Sequence, residues 1–243
     1  MNYKLDLHTH TLASGHAYNT IMEMARTAAD KGLEYLGITE HGPNIPGTCD
    51  PIYFRNLHVV PRQMYGVNLL LGAELNILDT QGTLDLDEWY YQRCLDIRIA
   101  GIHRLCWTGG TPEENTHGMI QAIRNPYVNI ISHPGDGTAT LLFEPIVQAA
   151  KETHTLLEIN NSSFKPARGL DASHKNYTEI LRLCKRYEVP VILGSDAHFC
   201  SDIANYQYVL PLIQQTDFPE SLIVNHQPDF FFAYTGLKKN EAK

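Results

Sequence analysis

Tyr3-Lys4-Leu5-Asp6-Leu7-His8-Thr9-His10 opens the chain with alternating apolar residues and ends in two histidines. Alternation at period two predicts a strand over 3–7, with the histidines directly after it. The same arrangement returns along the chain. A strand over 35–39 runs into Glu40-His41, and one over 67–77, through Leu69-Leu70-Leu71, carries Glu74. Strands over 97–101, 128–132 and 191–193 lead to His103, to His133 and to Asp196-Ala197-His198. A further apolar run over 156–159 precedes Asn160.

Between these runs the period changes from two to about 3.6. Ile21, Met24, Ala25 and Ala28 predict a helix over 20–31, closed by Gly32. Pro112 with Glu113 and Glu114 opens a helix over 112–124. Helices are also expected over 145–153, 177–188 and 210–214. Loops are expected over 42–49 and 161–176, and a frayed end over 238–243. A βαβα rhythm without a Pro/Gly/Ser-rich linker predicts a single α/β domain over 1–243. About seven strands favour a TIM-like (β/α) barrel, with an open doubly wound sheet as the alternative. In a barrel the carboxyl ends of the strands converge on one face, so residues far apart in sequence meet there.

The 243 residues carry a formal net charge of −8, which argues against an extended nucleic-acid surface. No apolar run reaches the roughly 20 residues of a membrane span. Five scattered cysteines without a Cys-x-x-Cys pair suit reduced thiols, so a cytoplasmic protein is expected. Gly-x-Gly-x-x-Gly and Walker-type phosphate loops are absent from the sequence.

His8, His10, His16, His41, His103, His133 and His198 with Glu74 and Asp196 form a set too large for one tetrahedral ion. They suffice for two or three ions sharing a bridging carboxylate. Imidazole with a minority of carboxylate suits zinc, manganese or iron better than calcium. His58, His117, His154, His174 and His226 lack the strand-end context; His117 and His154 are read as surface or local hydrogen-bonding groups, while His58, near Arg55 and Arg62, is left open.

Several strings together resemble the PHP superfamily, named for polymerase and histidinol phosphatase. They are Asp6-Leu7-His8-Thr9-His10-Thr11, Thr39-Glu40-His41-Gly42, Leu71-Gly72-Ala73-Glu74, Gly101-Ile102-His103, Ile131-Ser132-His133-Pro134-Gly135 and Gly194-Ser195-Asp196-Ala197-His198. Glu158-Ile159-Asn160-Asn161-Ser162-Ser163 adds a likeness to the stand-alone YcdX-type phosphatases. The resemblance covers essentially the whole chain. It implies a distorted (β/α)7 barrel with three divalent ions, usually described as zinc. By position, His8, His10, Glu74 and Asp196 would hold one ion. Glu74 would bridge to a second, completed by His103 and His133, and His16, His41 and His198 would hold the third. Glu40 and Arg104 depart from the relatives, where acidic residues of another type or an acidic residue stand. Neither removes a ligand, but Arg104 changes the charge at the pocket mouth.

The expected reaction is release of phosphate from a small phosphomonoester by in-line attack of metal-activated water, without a phosphoenzyme. Glu74, Asp196 and His198 are the expected catalytic residues. Arg62, Arg104, Arg168, Asn160 and Ser162 are the candidate substrate contacts, because arginine offers a planar fork to phosphate oxygens. The nearest alternatives are a histidinol-phosphate phosphatase and a phosphodiesterase or nuclease acting on a short nucleotide. An amidohydrolase-like enzyme and a non-catalytic metal-binding regulator are more distant. A homo-oligomer is compatible with the resemblance.

Overall fold

The computed structural model describes residues 3–165 and 170–239. Its elements are β1 (Leu5–Asp6), α1 (Ile21–Asp30), β2 (Tyr35–His41), α2 (Pro51–Asn56), β3 (Gln63–Met64) and β4 (Val67–Asn76). Then follow α3 (Glu88–Arg93), β5 (Ile97–Gly101), α4 (Pro112–Ile123), β6 (Ile130–Ile131), α5 (Phe143–Thr153) and β7 (Leu156–Asn160). The chain continues through α6 (Leu170–Tyr187), β8 (Val191–Gly194), α7 (Leu210–Gln215) and α8 (Pro228–Thr235). The strand order is β1-β2-β4-β5-β6-β7-β8, every pair parallel, with β3 as a short antiparallel hairpin on β4. This is a nearly closed seven-stranded parallel barrel with interleaved helices, the distorted TIM-like fold expected from the sequence.

Alternation along the strands decides which residues face the interior. Leu69 and Leu71 of β4 pack outward with α1 and α2 residues such as Met24 and Phe54. Leu70 joins an interior cluster with Leu5, Ile99, Ile130, Leu156 and Ile192. Phe231 and Phe232 of α8 join that cluster too. Side chains two residues apart on a strand share a face. Glu74 therefore follows Leu70 inward on β4, and Glu158 follows Leu156 inward on β7. Leu157 and Ile159, between and beyond them, pack outward.

Helices α1, α4 and α7 start within a residue of where the sequence predicts. Thr20 and Glu23 form a reciprocal capping box on α1, and Thr111 and Glu114 do the same on α4. Helix α6 differs from expectation. Residues 170–176, read as part of a loop, belong to the helix, which begins at Leu170. Its early turns are fixed by polar contacts: Ser173 Oγ donates to the Asp136 carbonyl and Asn176 Nδ2 to the Gly135 carbonyl. An apolar periodicity cannot register such a helix. Helices α2, α3 and α8 and the β3 hairpin were likewise not expected.

The barrel closes between β1 and β8, and it does so mainly through side chains. Toward the carboxyl ends Thr9 bridges Ala197 in parallel, and His10 N–H donates to the Ala197 carbonyl at 2.9 Å. Toward the other end Asn225, fully buried, substitutes for the missing strand contacts. Its Oδ1 accepts from Leu193 N–H at 2.7 Å, and its Nδ2 donates to the Leu193 carbonyl at 2.8 Å and the Leu5 carbonyl at 3.1 Å. Among the described residues no helix is long and apolar enough to cross a membrane.

Asn225→Ala leaves the Leu193 amide and two carbonyls facing a dry void. Each such loss costs roughly 1–3 kcal/mol, so a destabilisation of about 2–4 kcal/mol is expected in urea unfolding of the metal-stripped protein. A change below about 0.5 kcal/mol would remove Asn225 as the clasp of this seam.

Candidate metal centre

All seven parallel strands deliver a polar side chain to the carboxyl end of the barrel. His8 and His10 follow β1, His41 ends β2, and Glu74 sits on β4 opposite His41 in the parallel register. His103 follows β5, His133 follows β6, and Asp196 and His198 follow β8. Strand β7 contributes Glu158, which the sequence reading left out of the site. His16 arrives from the turn after Leu12–Ser14.

Glu74 is the hub. One carboxylate oxygen lies 2.8 Å from His133 Nε2 and 3.3 Å from both His8 Nε2 and His103 Nε2. The other lies 2.9 Å from His41 Nδ1 and 3.5 Å from His10 Nε2. Asp196 Oδ1 stands 3.5 Å from His10 Nε2 and 3.8 Å from His8 Nε2. His16 Nε2 lies 3.2 Å from His41 Nε2 and 3.1 Å from His198 Nε2. Three overlapping groups have donor atoms close enough to share an ion: His8/His10/Glu74, His41/Glu74/His103 and His10/His41/His198.

The far nitrogens of several rings are already committed, which fixes what the near ones offer. His8 Nδ1 lies 2.7 Å from Glu158 Oε1, and a carboxylate oxygen there accepts the ring N–H. His10 Nδ1 lies 3.0 Å from Ser14 Oγ, whose own hydrogen goes to Glu40 Oε2 at 2.5 Å. His198 Nδ1 lies 3.1 Å from the Asp196 carbonyl. Each ring therefore turns the lone pair of Nε2 toward the centre.

Those lone pairs confront one another. His8 Nε2 and His10 Nε2 are 3.1 Å apart, as are His103 Nε2 and His133 Nε2. With no proton between them such contacts are repulsive. They match the edge of a tetrahedron around an ion with nitrogen bonds of about 2.0–2.1 Å, which is about 3.3 Å. The second oxygen of Glu74 and His41 Nδ1 are buried 2.9 Å apart, and neither makes a well-formed hydrogen bond. Stranding a buried carboxylate oxygen costs several kcal/mol unless a cation compensates it. The residues fit a centre of several divalent ions.

The electrostatics lead to the same conclusion. Burial opposes ionisation of Glu74, yet His8 and His103 hold its carboxyl well below the usual range. Burial likewise opposes ionisation of Asp196, and His8 and His10 outweigh it. Burial drives His10 well below the usual imidazole range, and His41 and His198 push it further. His8 moves the other way: burial opposes its charge, but Glu158, Glu74 and Asp196 raise it well above that range. The site thus calls for positive charge next to Glu74 and Asp196, while burial disfavours it on His10.

Glu158 secures two ligands at once. Besides His8 it accepts the His133 backbone N–H at 2.7 Å, and Asn160 Nδ2 steadies the same oxygen at 3.1 Å. Gly194 makes room for it, since a Cβ there would fall on the Glu158 carboxylate. His133 and Asp196 both have left-handed backbone, with φ of 33° and 51°. Such residues cost of order 1–3 kcal/mol and persist where the surroundings hold them. Here the Glu158 bond holds His133.

The substrate candidates separate. Arg104 is exposed and lines the cavity over the centre, with Ile45, Leu105, Asp136 and Thr138. Arg62 is not brought to the site. It pairs with Asp96 at 2.7 Å and donates to the Leu57 and Val60 carbonyls, at the opposite end of the barrel. Asn160 is buried and spends its side chain on Glu158 and Ser163, while Ser162 is buried beside it. Arg168 lies outside the described residues. His117 and His154 are exposed and away from the centre, as expected, and so are His58 and His174.

Glu158→Gln can keep an acceptor for His8 Nδ1–H or for His133 N–H, but not for both. Competition with a chromophoric chelator is expected to show metal affinity reduced about 10–100-fold while circular dichroism stays native. Unchanged affinity would remove Glu158 from the support of the centre.

A family model described as PHP domain matches residues 6–236. A probable phosphatase from Clostridium novyi (strain NT) is 48% identical over 238 residues, covering 98% of this chain and 96% of that protein. A probable phosphatase from Caldicellulosiruptor saccharolyticus is 44% identical over 237 residues, covering 98% of each. Among solved structures, histidinol phosphate phosphatase from Lactococcus lactis subsp. lactis, complexed with zinc, L-histidinol and phosphate, superposes with a TM-score of 0.60 at 18% identity. That likeness covers 89% of this chain and 95% of the other, and it concerns the fold. The family match spans nearly all of a chain whose strand ends carry the ligand set just described: the chain belongs to the PHP domain family.

Proposed function

We propose that this protein is a metal-dependent phosphatase that releases inorganic phosphate from a small phosphomonoester. The carrying observation is the convergence of His, Glu and Asp donors on a buried carboxylate beneath an open cavity of about 240 Å³. That volume suits a phosphate group and a small organic remainder rather than a polymer. The curated relatives, probable phosphatases aligned over nearly their whole length, support the same activity. We read the chain as one domain over 1–243, of the stand-alone YcdX type. We place it in the cytoplasm, in keeping with its five free cysteines.

By position, His8, His10, Glu74 and Asp196 would hold one ion, Glu74, His103 and His133 a second, and His16, His41 and His198 a third. Zinc suits the donor set best, with manganese or iron as alternatives. When bound, such ions supply an activated water and neutralise charge on phosphoryl oxygens. The protein's own groups orient the reaction. Glu158, Ser14 and Glu40 keep the ring lone pairs aimed inward. Arg104 offers its guanidinium to a phosphate oxygen at the mouth. Ile45 and Leu105 supply apolar walls, and Asp136 an acceptor for a donor group on the leaving alcohol.

Within this activity, histidinol phosphate is the substrate reading with the most support. The fold likeness to the Lactococcus histidinol phosphate phosphatase, over 89% of this chain, favours it, and Asp136 at the rim suits an alcohol that carries cationic nitrogen.

Phosphate release should follow metal loading, stop on chelation and return with zinc or manganese. His133→Ala should lose metal and nearly all turnover, whereas Arg104→Ala should raise KM with metal content intact. Histidinol phosphate should give the highest kcat/KM in a panel of phosphomonoesters. No release from any ester by the fully loaded protein would overturn the activity. Equal rates across the panel would overturn only the histidinol reading.

A further inference from the structure

Two cavities on the flank of the barrel share a wall and differ in character. One, of about 350 Å³, is lined by Arg55, His58, Arg62, Arg93 and Asp96 together with the apolar surface of Trp89, Cys94 and Leu95. Arg62 and Asp96 immediately precede β3 and β5, so it lies toward the amino ends of the strands, opposite the metal centre. The other, of about 710 Å³, is mainly apolar and includes Ile21, Ile52, Leu57 and Val59. Arg55 and His58 line both.

The charges in the smaller cavity are largely uncompensated. Arg62 is neutralised by Asp96 at 2.7 Å, but the described ion pairs give neither Arg55 nor Arg93 a carboxylate. Arg55 stands 6.0 Å from the centroid of the Trp89 ring, which leaves its guanidinium edge open to a ligand. The His58 ring is fixed by its Nδ1 bond to the Arg55 carbonyl at 2.9 Å. In a chain of net charge −8, free guanidinium groups gathered in one cavity are a local exception. Beside them Ile52 and Val59 are 59% and 62% exposed, a costly display of large apolar side chains on a groove.

We propose that the paired cavities bind a small amphipathic anion, an alkyl or acyl chain ending in a carboxylate or phosphate-type head. The head lies on Arg55 and Arg93 beside Trp89, and the chain lies along Ile52, Leu57 and Val59. Charge complementarity selects the head and the contiguous apolar groove selects the tail. A bare anion would leave the groove exposed, and a neutral or cationic amphiphile would leave the arginines unpaired. None of these residues belongs to the metal centre.

Dodecanoate and dodecylphosphonate, neither a phosphomonoester, are the probes. Below their aggregation concentrations, calorimetry on the metal-loaded protein should give saturable binding, with a change in Trp89 emission. The tighter of the two identifies the head group. Arg55→Gln with Arg93→Gln should weaken binding at least about tenfold, the loss of one charge-assisted contact. Ile52→Asp with Val59→Asp, both at exposed positions, should weaken it similarly. Both double variants should hydrolyse p-nitrophenyl phosphate at the rate of the parent. Equal binding of dodecyltrimethylammonium, full displacement by millimolar inorganic phosphate, or affinity untouched by either double variant would each overturn the proposal.

Discussion

Imidazole lone pairs that face one another at 3.1 Å around a buried carboxylate set the terms for the rest of this protein. In isolation that cluster is unfavourable: ring nitrogens crowd one another, and a buried Glu74 oxygen makes no well-formed hydrogen bond. Divalent cations turn each of those costs into a bond. The donors come from positions as distant as His8 and His198, so no local segment can form the centre. The folded chain holds an arrangement that cations relieve. Metal binding is accordingly coupled to stability as well as to chemistry.

Barrel closure is what lets this happen. Asp196 and His198 meet His8 and His10 only because β8 returns to β1. That pair of strands shares little ladder of its own, since β1 spans just Leu5–Asp6. Asn225 and the Thr9–Ala197 bridge close the gap from opposite ends. A side-chain amide suits this task, because it presents a donor and an acceptor as a backbone unit does. At the top the seam keeps only the Thr9–Ala197 bridge and the His10 N–H bond to the Ala197 carbonyl, beside the histidines of the centre.

Much of this was legible in the sequence. Short apolar runs followed by His or acidic residues located the strand ends, and barrel geometry brought them together. Glu158 was missed as a site residue although its string was noted. It lies inside the apolar run Leu156-Leu157-Glu158-Ile159, where a carboxylate needs a reason to be buried. Strand β7 was also the one strand without a metal-site residue. Ser14 and Glu40 escaped because their role is to hold His10, which spacing cannot reveal. Arg62 was misplaced for a related reason: an arginine in a connection can point to either end of a barrel, and Asp96 decides which. The start of α6 was hidden because polar contacts, not apolar spacing, hold its first turns.

The same division explains why the metal centre reads so clearly and the substrate less so. Residues that aim the ligands are buried and interlocked. Glu158 touches two ligands and depends on Gly194 for space, and Ser14 serves His10, His41 and Glu40 together. A change at any of them propagates to the ions. Arg104, Leu105 and Thr138, by contrast, stand exposed at the mouth, and Ile45 and Asp136 also line it. Apart from Asp136, whose carboxylate stands 3.6 Å from His133 Nδ1, no described bond ties their side chains to the rings of the centre, so they are free to be matched to one alcohol or another. Catalytic capacity is written into the convergence of the strands, while substrate choice belongs to the loops above it.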